Sequence, residues 1–328
     1  MGTGGIAAKR FVVLGRVGMD LTAEPIGAAT SEATGMMVSM GGSSANIAAG
    51  LVKLGCAASL VTCVSDDAVG QYCLNQLDAY GIDRRHVRAI RGEERTSLAL
   101  VDARVAGHSS VIYRNNAADF RMSLADVEAV DYSGFGALIT TGTVFAAEPS
   151  RGAAFRALAL AKAAGLTVIF DVDYRPYSWP SAEVAAEVLG RAAGMSDVIV
   201  GNDEEFDFVA GAPGQGLAKA RALAASGAEI VIYKRGPEGA ITFAGGAELR
   251  TGIYAVAALK PTGAGDSFLA GLLAALADGA PLDAALRRGS ACAAIVVTRP
   301  GCAPAMPTPA ELDAFLVAHP GPSQPAKG

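Results

Sequence analysis

Histidine is nearly absent from this chain of 328 residues: there are three, His86, His108 and His319, and no two stand at metal-ligand spacing. A zinc site or a Ser-His-Asp triad therefore has no support in the sequence. Cysteine is sparse as well. Cys56, Cys63, Cys73, Cys292 and Cys302 form an odd set without a C-x-x-C pair, which reads as free buried thiols of a reducing compartment. Positive charge is not in excess: the net charge is −5 and the pI about 5.3. That balance does not suit nucleic acid or an anionic membrane as the main partner. Any phosphate must be held by local devices such as backbone amides and single Lys or Arg side chains. No apolar run is long enough to cross a bilayer, Phe268–Leu276 being far too short, and no targeting segment is visible at the start, so a cytoplasmic location is expected. The Walker A pattern G-x-x-x-x-G-K-[ST] does not occur, which excludes a P-loop kinase at the level of motif.

What the chain does have is apolar bulk. Hydrophobic residues make up 51% and charged residues 18%, enough to bury a large core. Short apolar runs at Phe11–Gly15, Ala57–Val64, Ala137–Thr141, Thr167–Asp171, Val198–Val200 and Glu229–Tyr233 read as strands. Helical runs alternate with them at Ser43–Leu54, Val69–Tyr80, Arg151–Ala164, Ala182–Ala193 and Leu217–Ala225. Continuous apolar strands separated by helices predict a mostly parallel α/β sheet covered on both faces. Two stretches break the rhythm, near residues 20–40 and 96–114, the second with a hairpin pattern at Leu98–Val101 and Ser109–Tyr113. They are either a small antiparallel sheet standing off the body as a lid, or ordinary edge strands. The expected domain runs over 11–319, with flexible ends at 1–10 and 320–328.

The sharpest segment is Lys260-Pro261-Thr262-Gly263-Ala264-Gly265-Asp266-Ser267-Phe268. It opens an apolar helix whose buried face would carry Phe268, Leu269, Leu272, Leu273 and Leu276. Small residues at Gly263, Ala264 and Gly265 allow close approach to the backbone, and the amides of a helix N-terminus favour an anion. Asp266 would place a carboxylate beside that anion pocket. The pairing suits phosphoryl transfer, with amides stabilising developing charge and the carboxylate deprotonating an attacking hydroxyl; the bland alternative is an Asp that caps a helix after a glycine turn. A second cluster, Gly41-Gly42-Ser43-Ser44-Ala45-Asn46, opens the Ser43–Leu54 helix. Asn has no helix advantage there, so its amide either holds a polyol hydroxyl or bonds locally.

Together the two segments resemble the two signatures of the PfkB carbohydrate kinases, an early G-G-x-x-x-N-x-A and a late T-G-A-G-D, in the right order and about 220 residues apart. The likeness runs from about Phe11 to Pro309 and takes in Asn202-Asp203-Glu204-Glu205, Lys234-Arg235-Gly236-Pro237-Glu238-Gly239 and Thr298-Arg299-Pro300-Gly301. It implies a ribokinase-like, Rossmann-type core with a β-sheet lid that pairs in a homodimer. It also implies ATP and Mg2+ as co-substrate and metal. Asp266 would be the base, with Gly263, Ala264 and Gly265 as the anion hole. Asp20, Gly42 and Asn46 would hold substrate hydroxyls. Asn202 and Glu205 would act near the phosphates and magnesium, Glu205 indirectly, with Lys234, Gly236 and Gly239 on the nucleotide side. Read without the resemblance, Glu205 is an exposed helix acid and Asp20 a turn cap.

Three strings bear on the acceptor: Gly15-Arg16-Val17-Gly18-Met19-Asp20-Leu21, Tyr113-Arg114-Asn115-Asn116-Ala117-Ala118-Asp119 and Asp171-Val172-Asp173-Tyr174-Arg175-Pro176-Tyr177-Ser178-Trp179. They are most similar to the branch of the family that phosphorylates 5-dehydro-2-deoxygluconate in inositol catabolism, and 2-keto-3-deoxygluconate kinases and fructokinases share parts of them. An acidic sugar suits Arg114 and Arg175, since a guanidinium grips a carboxylate through two parallel hydrogen bonds. Alternatively Arg175 is an ion-pair partner of Asp171 or Asp173. One departure stands out: many relatives carry an Asp six positions before the base, where it helps to bind a monovalent cation, and here that position is Lys260. An ammonium repels a cation, so a monovalent cofactor is doubtful. Competing readings are a non-catalytic sugar or nucleotide sensor on the same fold, and a nicotinamide-dependent oxidoreductase.

Overall fold

The computed structural model describes residue 6 and residues 8–323. Its strands are β1 (Arg10–Leu14), β2 (Gly18–Glu24), β3 (Gly35–Gly41), β4 (Ala57–Ser65), β5 (Asp83–Ile90), β6 (Leu98–Val101), β7 (Ser110–Tyr113), β8 (Ala137–Thr141), β9 (Thr167–Asp171), β10 (Val198–Asn202), β11 (Ile230–Lys234), β12 (Ala240–Ala244) and β13 (Ala247–Thr251). Nine of them form one sheet in the order β13-β12-β11-β10-β9-β8-β1-β4-β5. The seven strands from β11 to β5 run parallel; β12 pairs antiparallel with both β11 and β13.

Each central strand is apolar on both sides because each side is covered. Val12 and Leu14 pack into a layer with the Ser150–Ala163 and Ala182–Gly194 helices. Phe11 and Val13 face the opposite layer, made by the Ser43–Lys53, Ala68–Tyr80 and Ala264–Ala277 helices. The same two-residue alternation divides Val168 and Phe170 from Ile169, and Val231 from Ile230 and Ile232. The Ala264–Ala277 helix was expected to bury one face, but every residue from Ser267 to Leu276 is buried. It lies against both the Ser43–Lys53 helix and the Leu282–Val297 helix, so it has no solvent side.

The two irregular stretches form a separate sheet ordered β3-β2-β6-β7. It is mixed rather than purely antiparallel, because β2 and β6 run parallel. Of the ends expected to be flexible, residues 1–5, 7 and 324–328 lie outside the described residues. Arg10 already belongs to β1, and Ser323 donates its backbone N–H to the carbonyl of Ile253 at 2.8 Å.

Candidate functional site

In an open parallel sheet, ligands bind outside the carboxyl ends of the strands where the strand order reverses. Here the order reverses between β1 and β8, and several charged and polar residues collect along this edge. Arg16 follows β1, Thr143 follows β8, Asp171 ends β9 with Asp173 and Arg175 just beyond, Glu205 follows β10, and Lys234 ends β11.

The two glycine-rich segments meet at this edge. Asn46 Nδ2 donates to Asp266 Oδ2 at 2.8 Å across 220 positions of sequence. Asn46 Oδ1 is buried without a protein partner, an acceptor left over for a ligand hydroxyl. Gly263 caps the Ala264–Ala277 helix at φ 83, and the amides of Ala264, Gly265 and Asp266 in its first turn have no partner within the helix. Lys234 Nζ lies over that turn: a Cβ on Gly265 would come within 3.2 Å of it. The Asp266 carboxyl is pushed up to about 6, first by burial, then by the Asp173 charge, against the Asn46 hydrogen bond and the Arg175 and Lys234 charges. Burial works to lower the Lys234 ammonium, yet the carboxylates of Asp171, Glu205, Asp266 and Asp173 carry it net upward. Asp171, deeply buried in the same cluster, is raised chiefly by burial. The arrangement is a carboxylate of raised basicity beside a helix N-terminus and a firmly charged ammonium. It can take a proton from a hydroxyl while positive groups hold an anion.

A small cleft is lined by Arg16, Arg114 and Arg175, with Ser43, Thr143, Asp173 and Tyr177, and its Asp173 and Arg175 charges are felt at Asp266. Asp173 organises it. Its carboxylate accepts from Ser43 Oγ at 2.7 Å and from Thr143 Oγ1 at 3.3 Å, and pairs with Arg175 Nη2 at 2.8 Å. Burial would raise its pKa, but Arg175, the Ser43 hydrogen bond and the more distant Arg16 and Arg114 hold it low. Its backbone sits at φ 33, a left-handed conformation rare for a residue with a side chain and common at working sites. Arg175 thus fulfils the ion-pair alternative through Asp173, and it lines the cleft as well. Arg114 lies over the Phe120 ring at 4.1 Å, donates to the Thr143 carbonyl at 2.9 Å and pairs with Asp119.

The lid roofs this cleft. β2 turns Asp20 and Thr22 inward, both buried. Asp20 Oδ1 has no hydrogen-bond partner, and burial raises its carboxyl, with Arg16 and Lys260 pulling the other way. Gly41 must lack a side chain, since a Cβ there would overlap the Asp20 carboxylate at 1.8 Å. Gly42, at φ 95, caps the Ser43–Lys53 helix beside the Arg16 carbonyl. The remaining expected residues have clear local roles. Asn202 and Glu205 form a capping box, Asn202 Oδ1 accepting from Glu205 N at 2.7 Å and Glu205 Oε2 from Asn202 N at 2.8 Å. Glu205 is buried rather than an exposed helix acid, and Oε1 stands 3.9 Å from Arg175 Nη1. Gly236 (φ 52) and Gly239 (φ 83) turn β11 into β12. At Gly239 a Cβ would strike the Thr251 carbonyl at 2.0 Å.

Lys260 is 1% exposed. Its Nζ donates to the carbonyl of Thr262 at 2.5 Å and to that of Val296 at 3.4 Å, beneath the loop that leads to Asp266. Burial lowers its pKa, while Cys302, Asp266 and Asp20 act to raise it. Thr143 was not named from sequence, and Arg16, Ser43, Asp171, Asp173 and Tyr177 stood inside quoted segments without a site role of their own; all six reach the site. For Arg16, Thr143, Asp173 and Tyr177 the signal was a place just after core strands.

The chain is similar to known proteins in sequence and in fold. The family model described as pfkB family carbohydrate kinase matches residues 8–309. A 5-dehydro-2-deoxygluconokinase of Photobacterium profundum is 36% identical over 310 residues, covering 93% of this chain and 94% of its own. A PfkB protein from Polaromonas sp. JS666 of known crystal structure is 28% identical with a TM-score of 0.80, over 93% of this chain and 99% of that one. A fructokinase double mutant from Vibrio cholerae O395, solved in its fructose, ADP and potassium ion bound form, is 25% identical with a TM-score of 0.82, over 96% of this chain and 100% of its own.

Proposed function

The chain belongs to the pfkB family of carbohydrate kinases, and we propose that it transfers the terminal phosphoryl group of ATP to a primary hydroxyl of 5-dehydro-2-deoxy-D-gluconate, giving the 6-phosphate in inositol catabolism. The observation that carries the kinase reading is the Asn46–Asp266 hydrogen bond, which joins the two signature segments at the open edge of the sheet. The acid acceptor is supported by the arginine-lined cleft beside that bond and by the activity named for the Photobacterium relative.

The roles follow from position. Asn46 and Asp20 present free buried oxygens to acceptor hydroxyls. Asp266 orients the attacking hydroxyl and takes its proton. The amides at the start of the Ala264–Ala277 helix and the Lys234 ammonium hold the phosphoryl oxygens. Among the described residues no three His, Cys, Asp or Glu converge as a metal cage. Mg2+ is commonly held through one or two carboxylates, waters and substrate phosphates, and Glu205 and Asp171 are the carboxylates at hand for it. Bound there, Mg2+ would neutralise phosphate charge.

Lys260 takes the place of a monovalent cation. Its ammonium already bonds two backbone carbonyls under the Thr262–Asp266 loop, as an ion would, so turnover needs no added potassium, unlike what the potassium-bound fructokinase suggests for its own site.

Two copies pair through the lid, in the cytoplasm. The outer face of the small sheet is apolar: Val38, Leu21, Leu100 and Val111 lie in one cross-strand row, and Val38, Val111 and Tyr113 are 47%, 50% and 57% exposed. The inner face carries Asp20 and Thr22 instead, the reverse of a sheet that faces water alone. The reading as a catalyst rather than a sensor is tested by Asp266→Asn, which should bind ATP in calorimetry and release no ADP in the presence of acceptor. Retained turnover would contradict it.

A further inference from the structure

Resting on the acid-acceptor reading above, we infer that Arg16 is a further specificity-determining residue, the group that receives the acceptor's carboxylate. Three guanidinium groups line the cleft, and two are already neutralised. Arg114 is paired with Asp119 and Arg175 with Asp173. Arg16 is not: among the described residues no carboxylate lies within 4.0 Å of it, although it is only 7% exposed. Asp20 and Asp173 feel its charge from farther off, and Asp20 leaves an oxygen without any hydrogen-bond partner. Arg16 makes one side-chain hydrogen bond, from Nη1 to Ser97 Oγ at 2.9 Å.

A cation taken out of water without a counter-charge is costly. Arg16 therefore lacks a direct ion-pair partner, Asp20 acting on it only from beyond 4.0 Å, and a monoanionic acceptor would supply one. The guanidinium is also fixed in place for this. Gly18 lies under it, and a Cβ there would come within 2.9 Å of Nη1 and 2.8 Å of Ser97 Oγ. Held by Ser97, the remaining edge of the fork is free to meet a carboxylate through two parallel hydrogen bonds. A neutral sugar offers nothing to it and leaves the buried charge unpaired, which turns affinity for acids into discrimination against neutral acceptors.

The test is steady-state kinetics on the full-length enzyme together with thermal unfolding of the free protein. Arg16→Gln should raise KM for 5-dehydro-2-deoxygluconate by about 30-fold or more, with KM for ATP little changed. It should compress the preference for that acid over fructose, and the unliganded variant should melt no lower than wild type, since an unpaired buried charge is gone. Ser97→Ala, which removes only the group that positions Arg16, should shift KM for the acid in the same direction by less. An unchanged KM for the acid in Arg16→Gln would overturn the inference and leave the acid-kinase reading standing. A raised KM accompanied by a lowered melting temperature would also overturn it, assigning Arg16 a structural role at the lid. If wild type phosphorylates neutral sugars but no sugar acid, the reading of the acceptor itself falls, and this inference with it.

Discussion

At the scale of single residues, the site is a problem of charge placed out of water. Asp266 is the proposed base, and its carboxyl is raised to about 6 from an ordinary 3.8. Below that value the base is protonated, so kcat/KM should fall about tenfold for each unit of pH below about 6; a rate that stays flat to pH 5 would contradict the assignment. The same shift has a stability consequence of opposite sense. A carboxyl raised by folding binds its proton more tightly in the native state, so native stability is lost as pH climbs from about 4 through about 6. Asp266→Asn should therefore melt higher than wild type above pH 6, lose that advantage towards pH 4, and lower kcat by about 10²–10⁴-fold. Lys260→Met keeps the buried stem but removes the ammonium from the Thr262 and Val296 carbonyls. We expect it to lower the rate and to make the rate respond to added potassium, whereas the wild-type rate should not respond. The two signature segments were legible in the sequence through their order and spacing, which resemble one family; taken alone, each left Asp266 open as a helix cap and Asn46 as a local bond. Arg16 stood inside a quoted segment and Asp173 was named only as an ion-pair partner of Arg175, since one charged residue in a loop carries no pattern until the strand before it is placed at the open edge of the sheet.

At the scale of elements, legibility followed burial. Strands buried on both faces, such as Ala137–Thr141 and Thr167–Asp171, were read with their correct bounds, because covered strands must be continuously apolar. The two edge strands of the large sheet were missed, as was the buried β12, while β7 at the edge of the small sheet was read. β5 carries Arg84, Arg85, His86 and Arg88, and β13 carries Glu248 and Arg250, because an edge strand needs only one apolar side and deters unwanted pairing with charge. The Asn202–Glu205 segment illustrates how one motif can serve fold and site together. Its capping box satisfies two backbone donors, so Asn202→Ala should cost about 1 kcal/mol of stability in denaturant unfolding. If Glu205 also acts near the metal, Glu205→Gln should raise the Mg2+ concentration needed for half-maximal rate; an unchanged Mg2+ dependence would confine it to the cap.

For the whole molecule, the lid bears on both the pocket and the proposed assembly. Its inner face roofs the acceptor cleft with Ile112 and Arg114, and its outer face presents the Val38–Val111 row and Tyr113. A charge placed there, as in Val111→Asp, should convert a dimer to monomers in sedimentation, with the core fold retained in circular dichroism. A monomeric wild type would remove the assembly from the account without touching the chemistry. The measurement that bears most directly on the central claim is a coupled ADP-release assay with Mg·ATP against 5-dehydro-2-deoxygluconate, 2-keto-3-deoxygluconate, fructose, ribose and adenosine. The account predicts the highest kcat/KM with 5-dehydro-2-deoxygluconate. A higher value with ribose, adenosine or fructose, or no turnover with any of the five, would contradict it.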